Sequence, residues 1–437
     1  MNDPGYTIFA PASGFGRAAV AVIRISGPAA GALVTALAGT LPPPRRLSLR
    51  TLRDPATCET LDRALVAWMP GPSTFTGEDM AEFHLHGGLA VRTAVLRTLA
   101  THPGCRAAEP GAFTRRAFLN GRMDLTEAEG IADLVDAETE AQRRQALRQL
   151  DGVLGRQVAD WRDRAIGLLA GAEAALDFAD EGDVDDAALD AGLLAGARSL
   201  RDEIAATLAD GRRGEQLREG FTVVLAGPPN AGKSTLLNAL ARREAAIVSP
   251  LPGTTRDAIE VRCDLAGLPV ILVDTAGLRE TDCSIEAEGI LRARRRIETA
   301  DLVVDLQPSD ANQPASAIHP SALLVRTKAD LAPTSIEVEA LAVSALTGAG
   351  LDRLMDAIGE RAASALGGDA LITRERHRDA LIRCGTHLDR LLEAPTAQPE
   401  LIAEDLRLAV RALGEIGGHV GVDEMLDRLF SGFCIGK

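Results

Sequence analysis

Two short stretches hold side chains whose type and order suit phosphate chemistry. "GPPNAGKST" (227–235) satisfies the pattern GxxxxGK followed by Ser or Thr. The strand-like "FTVVLA" precedes it and the helix-like "LLNALARRE" follows, which is the setting the pattern needs. Gly227 and Gly232 let successive backbone N–H groups, those of Asn230, Ala231, Gly232 and Thr235 among them, turn onto phosphate oxygens. Lys233 reaches the β- and γ-phosphates, and Ser234 offers its hydroxyl to Mg²⁺. "TKAD" (327–330) supplies the base contact through Thr327, Lys328 and Asp330. The Asp330 carboxylate accepts two hydrogen bonds from guanine, from N1–H and the N2 amine, and adenine offers neither donor. The motif therefore selects GTP over ATP and disfavours a P-loop ATPase.

Between and after these lie "PGTTRD" (252–257), with Thr255 as a second Mg²⁺ ligand, and "DTAG" (274–277). There Asp274 holds the metal through water, Thr275 and Ala276 complete the turn, and the Gly277 N–H senses the γ-phosphate. "VSAL" (343–346) brings the Ser344–Ala345 backbone to guanine O6. The order and spacing resemble those of small GTPases over about a third of the chain. Two departures stand out: Thr327 occupies the usual asparagine position, and Leu278 stands where a Ras-like enzyme keeps the glutamine that orients water. Acids just downstream, Glu280, Asp282, Glu286 and Glu288, are candidates for that task.

The elements that must position these groups follow from pattern. From 221 to about 362, apolar strands alternate with helical segments, which indicates a parallel sheet covered by helices on both faces. Residues 1–118 hold strand-like runs such as "AAVAVIRISG" (18–27) and "RALVAWMPG" (63–71), broken by turn residues. From 124 the chain is Ala- and Leu-rich at helical spacing, with Thr126 and Glu129 fitting a capping box, and the acidic "DFADEGDVDD" (177–186) reads as a loop. A further helix is expected through 191–210, and helices return after about 365. The expected organisation is multidomain, α/β plus α: an N-terminal α+β domain (1–118), a helical domain split into 119–214 and 366–437, and a Ras-like P-loop domain inserted at 217–362.

The net charge of −15 over 437 residues argues against broad nonspecific nucleic-acid binding. The Arg-rich "LRARRRIE" (291–298) and "TRERHRD" (373–379) are either solvated helix faces or local RNA contacts. No run of about eighteen apolar residues suggests a spanning helix. The N-terminus has no secretory pattern, and the six scattered cysteines read as reduced cytosolic thiols, so a cytoplasmic location is expected. His84 and His86 point the same way at strand spacing; a metal pair is one reading, a structural or ligand-proximal role the other.

"PGAFTRRAFLNGRMDLTEAEGIADLV" (110–135), "TGEDMAEFHLHGG" (76–88) and the terminal "FCIGK" together resemble the tRNA modification GTPase family (MnmE, also called TrmE) along the whole chain. The resemblance implies an N-terminal, dimer-forming domain like those that bind folate in one-carbon enzymes. It implies a flavoprotein partner (MnmG, also called GidA) in a heterotetramer or larger complex. It also implies carboxymethylaminomethyl chemistry at C5 of the wobble uridine (position 34) of certain tRNAs, fed by a tetrahydrofolate derivative, the 5,10-methylene or 5-formyl form. Folate contacts carried over by motif are Arg24, Glu82, Arg122, where the family often has lysine, and Lys437. The tail is expected to be docked by Phe433 and Ile435, with Cys434 and Lys437 facing the folate; Cys434 is either a working thiol or a small buried hydrophobe.

The resemblance further implies K⁺ activation between two G domains. Asn230, Ser249, Leu251 and Thr254 would hold the ion, and Glu286 would orient the water. The plainer readings are an N-cap for Asn230 and a solvated acid for Glu286. The rival function is a ribosome-assembly or signalling GTPase without one-carbon chemistry, which usually carries a basic RNA-binding domain.

Overall fold

The computed structural model describes residues 5–14, 16–178, 186–243, 260–274, 294–309, 321–331, 340–393, 399–420 and 423–436. The chain divides into two units: residues 1–132, 155–162 and 411–437, and residues 133–154 and 163–410.

In the first unit β1 (Thr7–Pro11), β2 (Ala18–Ser26), β3 (Ser48–Arg53), β4 (Thr60–Met69), β5 (Met80–Gly87) and β6 (Cys105–Ala107) form one sheet of order β3-β4-β5-β2-β1-β6. Only the β1–β6 pair is parallel. One face carries Phe9, Ile23, Ile25, Val66, Phe83 and Leu85, which pack under α1 (Ala30–Ala38) and α2 (Leu89–Ala100). The other face presents Arg24, Glu82, His84 and Leu65, because residues two apart on a strand share a face. Helices α3 (Ala112–Leu119) and α4 (Leu125–Asp136) follow. Asp124, not Thr126, caps α4: the Asp124 carboxylate accepts from Glu127 N and the Glu127 carboxylate accepts from Asp124 N. The capping box expected at Thr126 and Glu129 is thus displaced two residues upstream, because both residues are buried inside the helix.

In the second unit α5 (Glu140–Leu150) starts at a capping box formed by Thr139 and Gln142. Then come α6 (Val153–Phe178), of which residues 155–162 belong to the first unit, α7 (Asp186–Leu208) and the short α8 (Arg213–Glu219). The helical pattern that starts at 124 is therefore divided twice before residue 178, into α4, α5 and α6. The α/β module holds β7 (Phe221–Ala226), α9 (Lys233–Ala241), β8 (Glu260–Leu265), β9 (Leu268–Asp274), β10 (Leu302–Pro308), β11 (Leu323–Thr327), β12 (Leu341–Ala342) and α10 (Leu351–Leu366). The strand order is β12-β11-β10-β7-β9-β8. All neighbours are parallel except β8, an antiparallel edge strand whose mixed charged and apolar sequence "EVRCDL" hid it from the pattern reading. Helices α11 (Glu375–Glu393) and α12 (Pro399–Gly417) follow, and Leu381, Cys384, Leu388 and Leu391 of α11 are all buried, as their spacing requires. The last helix, α13 (Asp423–Ser431), returns to the first unit. Among the described residues no helix is long and apolar enough to cross a membrane.

Candidate functional site

The phosphate loop is shaped by three backbone positions. Gly227 (φ +148) passes so close to β10 that a Cβ there would lie 2.4 Å from the Leu306 carbonyl oxygen. Asn230 (φ +64) and Gly232 (φ +88) take left-handed conformations, which asparagine and glycine tolerate best. Gly232 is the N-cap of α9, so Asn230 is not the cap. Its side chain sits exposed at the loop's rim, as does Thr235, while Ala231 is fully buried beneath. Lys233 Nζ folds over the loop and donates to the Gly227 and Pro228 carbonyls, both at 2.9 Å.

Parallel pairing of β7 with β9 sets Leu225 opposite Asp274. That register brings Ser234 Oγ to within 2.5 Å of the buried Asp274 carboxylate, to which it donates. A hydroxyl and a carboxylate converging there are the hard oxygen donors that Mg²⁺ takes, so the residues fit the metal.

The segment expected to take the base is tied to the loop by a hydrogen bond. Thr327 Oγ1, buried, donates to the Ala231 carbonyl at 2.7 Å. Threonine thereby fastens β11 to the phosphate loop. Ser309, which the sequence reading passed over, supports it: both its N–H and its hydroxyl donate to the Thr327 carbonyl, at 2.9 and 2.8 Å. No sequence signal marks Ser309, since it acts only through neighbouring strands. Lys328 has φ +56, and Asp330 lies in a 3₁₀ turn, Ala329–Leu331. Ser344 Oγ donates to Asp330 Oδ1 at 2.6 Å, and the Ser344 N–H donates to the Ala349 carbonyl at 2.9 Å. Ala345 follows, half-buried. Ser249, Leu251, Thr254, Thr255, Thr275, Ala276, Gly277 and Glu286 lie outside the described residues, as does Lys437.

A second cluster, of side chains expected to contact folate, sits in the first unit, on the sheet face away from α1 and α2. The Arg24 guanidinium pairs with the Glu82 carboxylate at 3.0 Å, cross-strand partners on β2 and β5. It lies 5.7 Å from the Phe75 ring centroid and 5.9 Å from that of Phe113. The other Glu82 oxygen meets His84 Nε2 at 3.3 Å. Arg122 is exposed, with its stem against Gly77; the adjacent Thr76 hydroxyl pairs with Ser26 Oγ at 2.7 Å, two residues along β2 from Arg24.

The chain's tail closes on this cluster. Arg24 Nη1 donates to the Gly436 carbonyl at 3.4 Å, and a Cβ on Gly436 (φ +95) would meet the Pro11 carbonyl oxygen at 2.0 Å. Phe433 packs with Phe430, Leu426 and Leu125. Ile435, expected as a second anchor, is 45% exposed instead. Cys434 is exposed too, which rules out the buried-hydrophobe reading. Burial pushes the thiols of Cys263 and Cys384 up to about 11 and about 12, leaving them inert.

The two strand histidines do not share a partner. His86 Nδ1 lies 2.7 Å from Asp62 Oδ1, and the His86 N–H donates to Asp62 Oδ2 at 2.9 Å. Burial raises the Asp62 carboxyl, and these bonds together with that from Arg63 N–H outweigh it, so the group ends below its ordinary value. Among the described residues there is no group of three or more metal-ligating side chains.

Comparison with known proteins identifies the family. A model of the MnmE helical domain matches residues 125–434, and one of the GTP-binding protein TrmE N-terminus matches residues 7–122. The tRNA modification GTPase MnmE of Methylorubrum populi is 72% identical over 434 residues, covering 99% of this chain and 98% of that protein. The protein of the same name from Azorhizobium caulinodans is 54% identical over 438 residues, with both chains covered completely. Among solved structures, the G domain of the T. maritima FeoB iron transporter is 26% identical and covers 32% of this chain and 98% of that one, at a TM-score of 0.25 that adds nothing to the fold. The chain belongs to the tRNA modification GTPase family and is a GTP hydrolase acting in tRNA modification.

Proposed function

We propose that this GTPase, as a homodimer joined to the flavoprotein MnmG (GidA) in a heterotetramer or larger complex, installs the carboxymethylaminomethyl group at C5 of wobble uridine 34 of certain tRNAs. The one-carbon unit comes from tetrahydrofolate in its 5,10-methylene or 5-formyl form. The observation that carries the folate half is the environment of Arg24. A half-buried guanidinium, a carboxylate paired to it and two aromatic rings supply donors, an acceptor and apolar walls in one place. A reduced pterin, with its amino-pyrimidinone edge and flat ring, has matching chemistry. Arg122, Lys437 and Cys434 complete the assignment, Cys434 as the thiol near the one-carbon unit.

In the G module, Lys233 acts on the phosphates, and Ser234, Thr255 and Asp274 serve Mg²⁺. Asn230, Ser249, Leu251 and Thr254 hold K⁺, Glu286 orients the water, and Thr327, Lys328, Asp330, Ser344 and Ala345 take the base. The four-part division at 1–118, 119–214, 217–362 and 366–437 and a cytoplasmic location belong to the same reading. The homodimer draws support from the apolar side chains left on the first sheet, where Leu49 (67% exposed) pairs across to Leu65 (42%).

The test is saturable binding of 5-formyl-tetrahydrofolate to the full chain, together with nucleoside analysis of tRNA from cells lacking the protein. Absence of any saturable folate uptake leaves a GTP hydrolase without one-carbon chemistry. Equal hydrolysis rates in Na⁺ and K⁺ remove the ion assignment. Deleting the last four residues is expected to spare hydrolysis and abolish modification.

A further inference from the structure

Helix α5 touches the G module at two mechanically distinct places. The first is the β8–β9 hairpin. Its strand β8 starts at Glu260, five residues after Thr255, and β9 ends on Asp274, so the hairpin joins the two segments that flank the metal-side residues. Leu265 pairs with Leu268, and the two residues between them, Ala266 (φ +55) and Gly267 (φ +85), are both left-handed, the backbone of a tight two-residue turn. The Gly267 N–H is held by Asp264 Oδ1 at 2.6 Å. The Gly267 carbonyl accepts from the Ala141 N–H at 3.0 Å. Ala141 lies in the first turn of α5, where N–H groups have no partner within the helix, so the hairpin tip acts as part of the helix cap. Beside it, Arg262 of β8 meets the Glu138 carboxylate at 3.3 Å.

The second place is the entry and exit of the module. Gln142, Gln145 and Gln149 recur at spacings of three and four, on one face of α5. Gln142 Nε2 donates to the Arg218 carbonyl at 3.0 Å, and Gln145 Nε2 donates to the Gly214 carbonyl at 3.1 Å, both in α8. Gln149 Oε1 accepts from Thr373 Oγ1 at 2.7 Å, in the segment that leaves the module. Arg218 Nε in turn donates to the Thr373 carbonyl at 3.1 Å, and Gln216 Nε2 donates to Asp301 at 2.6 Å. Helix α8 ends two residues before β7, the strand that carries the phosphate loop.

One helix is therefore bonded at its first turn to the hairpin between the metal-side segments, and along its length to the mount of the phosphate loop. Among the described residues β8 is an edge strand whose one sheet neighbour is β9, whereas β7 is central. A displacement of the hairpin relative to β7 must move α5 or break these bonds. We infer that α5 is the output element of the G module. Glu138, Ala141 and Gln142 are positioning residues that pass nucleotide state to the tRNA modification step without taking part in GTP cleavage. The inference rests on the family's GTPase activity and is independent of the folate assignment.

The experiment compares full-length wild type with Ala141→Pro, which removes the N–H given to Gly267 at a first-turn position where proline is tolerated. Amide hydrogen exchange is read with GDP and with a non-hydrolysable GTP analogue, each with Mg²⁺ and K⁺. In wild type, residues 264–268 and 140–146 are expected to change protection together between the two nucleotides. In Ala141→Pro the change at the hairpin persists while that in α5 disappears, GTP hydrolysis is unchanged, and modified wobble uridine falls about fivefold or more. Glu138→Arg reproduces that pattern, and adding Arg262→Glu restores coupling, which a folding defect would not allow. Exchange in α5 that is identical in both nucleotide states of the wild type overturns the inference. So does full tRNA modification by Ala141→Pro, or a charge-swapped double variant no better than Glu138→Arg.

Discussion

The phosphate loop and the Arg24 cluster are built in opposite ways. The loop's parts run consecutively from Gly227 to Ser234, and its shape is set by left-handed and glycine-only backbone positions. The Arg24 cluster gathers β2, β5, the loop at Phe75, helix α3 and the tail, residues up to 412 positions apart. A local site keeps most of its shape when one distant contact is lost, because its geometry is largely a property of a short chain segment. An assembled site depends on every element that delivers a group. The joint around α8 is of the assembled kind as well, since Glu215 is held there by Arg212 from its own helix region and Arg378 from α11.

Breaking the local site where charge is concentrated gives the largest effect. Lys233→Ala is expected to lower the GTP hydrolysis rate by on the order of 10²–10³, measured by phosphate release, since a preorganised cation aimed at developing charge is lost. Asp330→Ala follows. Two bonds to guanine vanish, about 3 kcal/mol, and GTP affinity falls roughly a hundredfold in a binding titration while discrimination against ATP is lost.

The assembled regions respond through stability and coupling. Burial raises the Glu215 carboxyl, but the bonds from Arg212 and Arg378 outweigh it, so its folded pKa lies below the ordinary value. Its stabilisation is therefore complete above the unfolded value near 4.5 and is lost as pH falls through the lowered one. Glu215→Gln is expected to remove about 2 kcal/mol at pH 7 and to flatten the fall in melting temperature below pH 4.5, read by calorimetry across pH. Glu140, whose carboxyl is drawn down to about 2 by hydrogen bonds from Arg143 and Arg144, is exposed and serves as the control, with little change on Glu140→Gln. Glu82→Gln is expected to weaken folate binding about tenfold by removing the charge that pairs with Arg24, while GTP hydrolysis stays unchanged. Apart from the control, the smallest effect belongs to Thr327→Val, which leaves the Ala231 carbonyl without its donor. About 1 kcal/mol, or roughly a fivefold loss in nucleotide affinity, is expected, with Thr327→Asn restoring it.

How far the fold could be read in advance follows the same division. The strands within 18–27 and 63–71 were legible as apolar, partly β-branched runs ending in turn residues, and the buried leucines of α11 from helical spacing, because one buried face imposes period 3.6 on a helix. β8 was not legible, since an edge strand with one wet face carries Glu260, Arg262 and Asp264 among its apolar residues. Thr126 resembled a cap because it has the right spacing to Glu129, yet Asp124 reaches the free N–H groups first. Ile435 resembled an anchor because it is apolar, but the tail's close passage past Pro11 buries Gly436 and leaves the isoleucine outside.

From the sequence alone came the nucleotide loop, the choice of guanine, the alternating module and the family, because each resides in consecutive residues whose backbone preferences and spacing act locally. Only the tertiary structure decided that Thr327 ties the base side to the phosphate loop, that Glu82 and the tail meet at Arg24, and that a hairpin tip caps α5. Those contacts join atoms far apart along the chain, and their distances follow from strand register and helix packing that no local preference encodes.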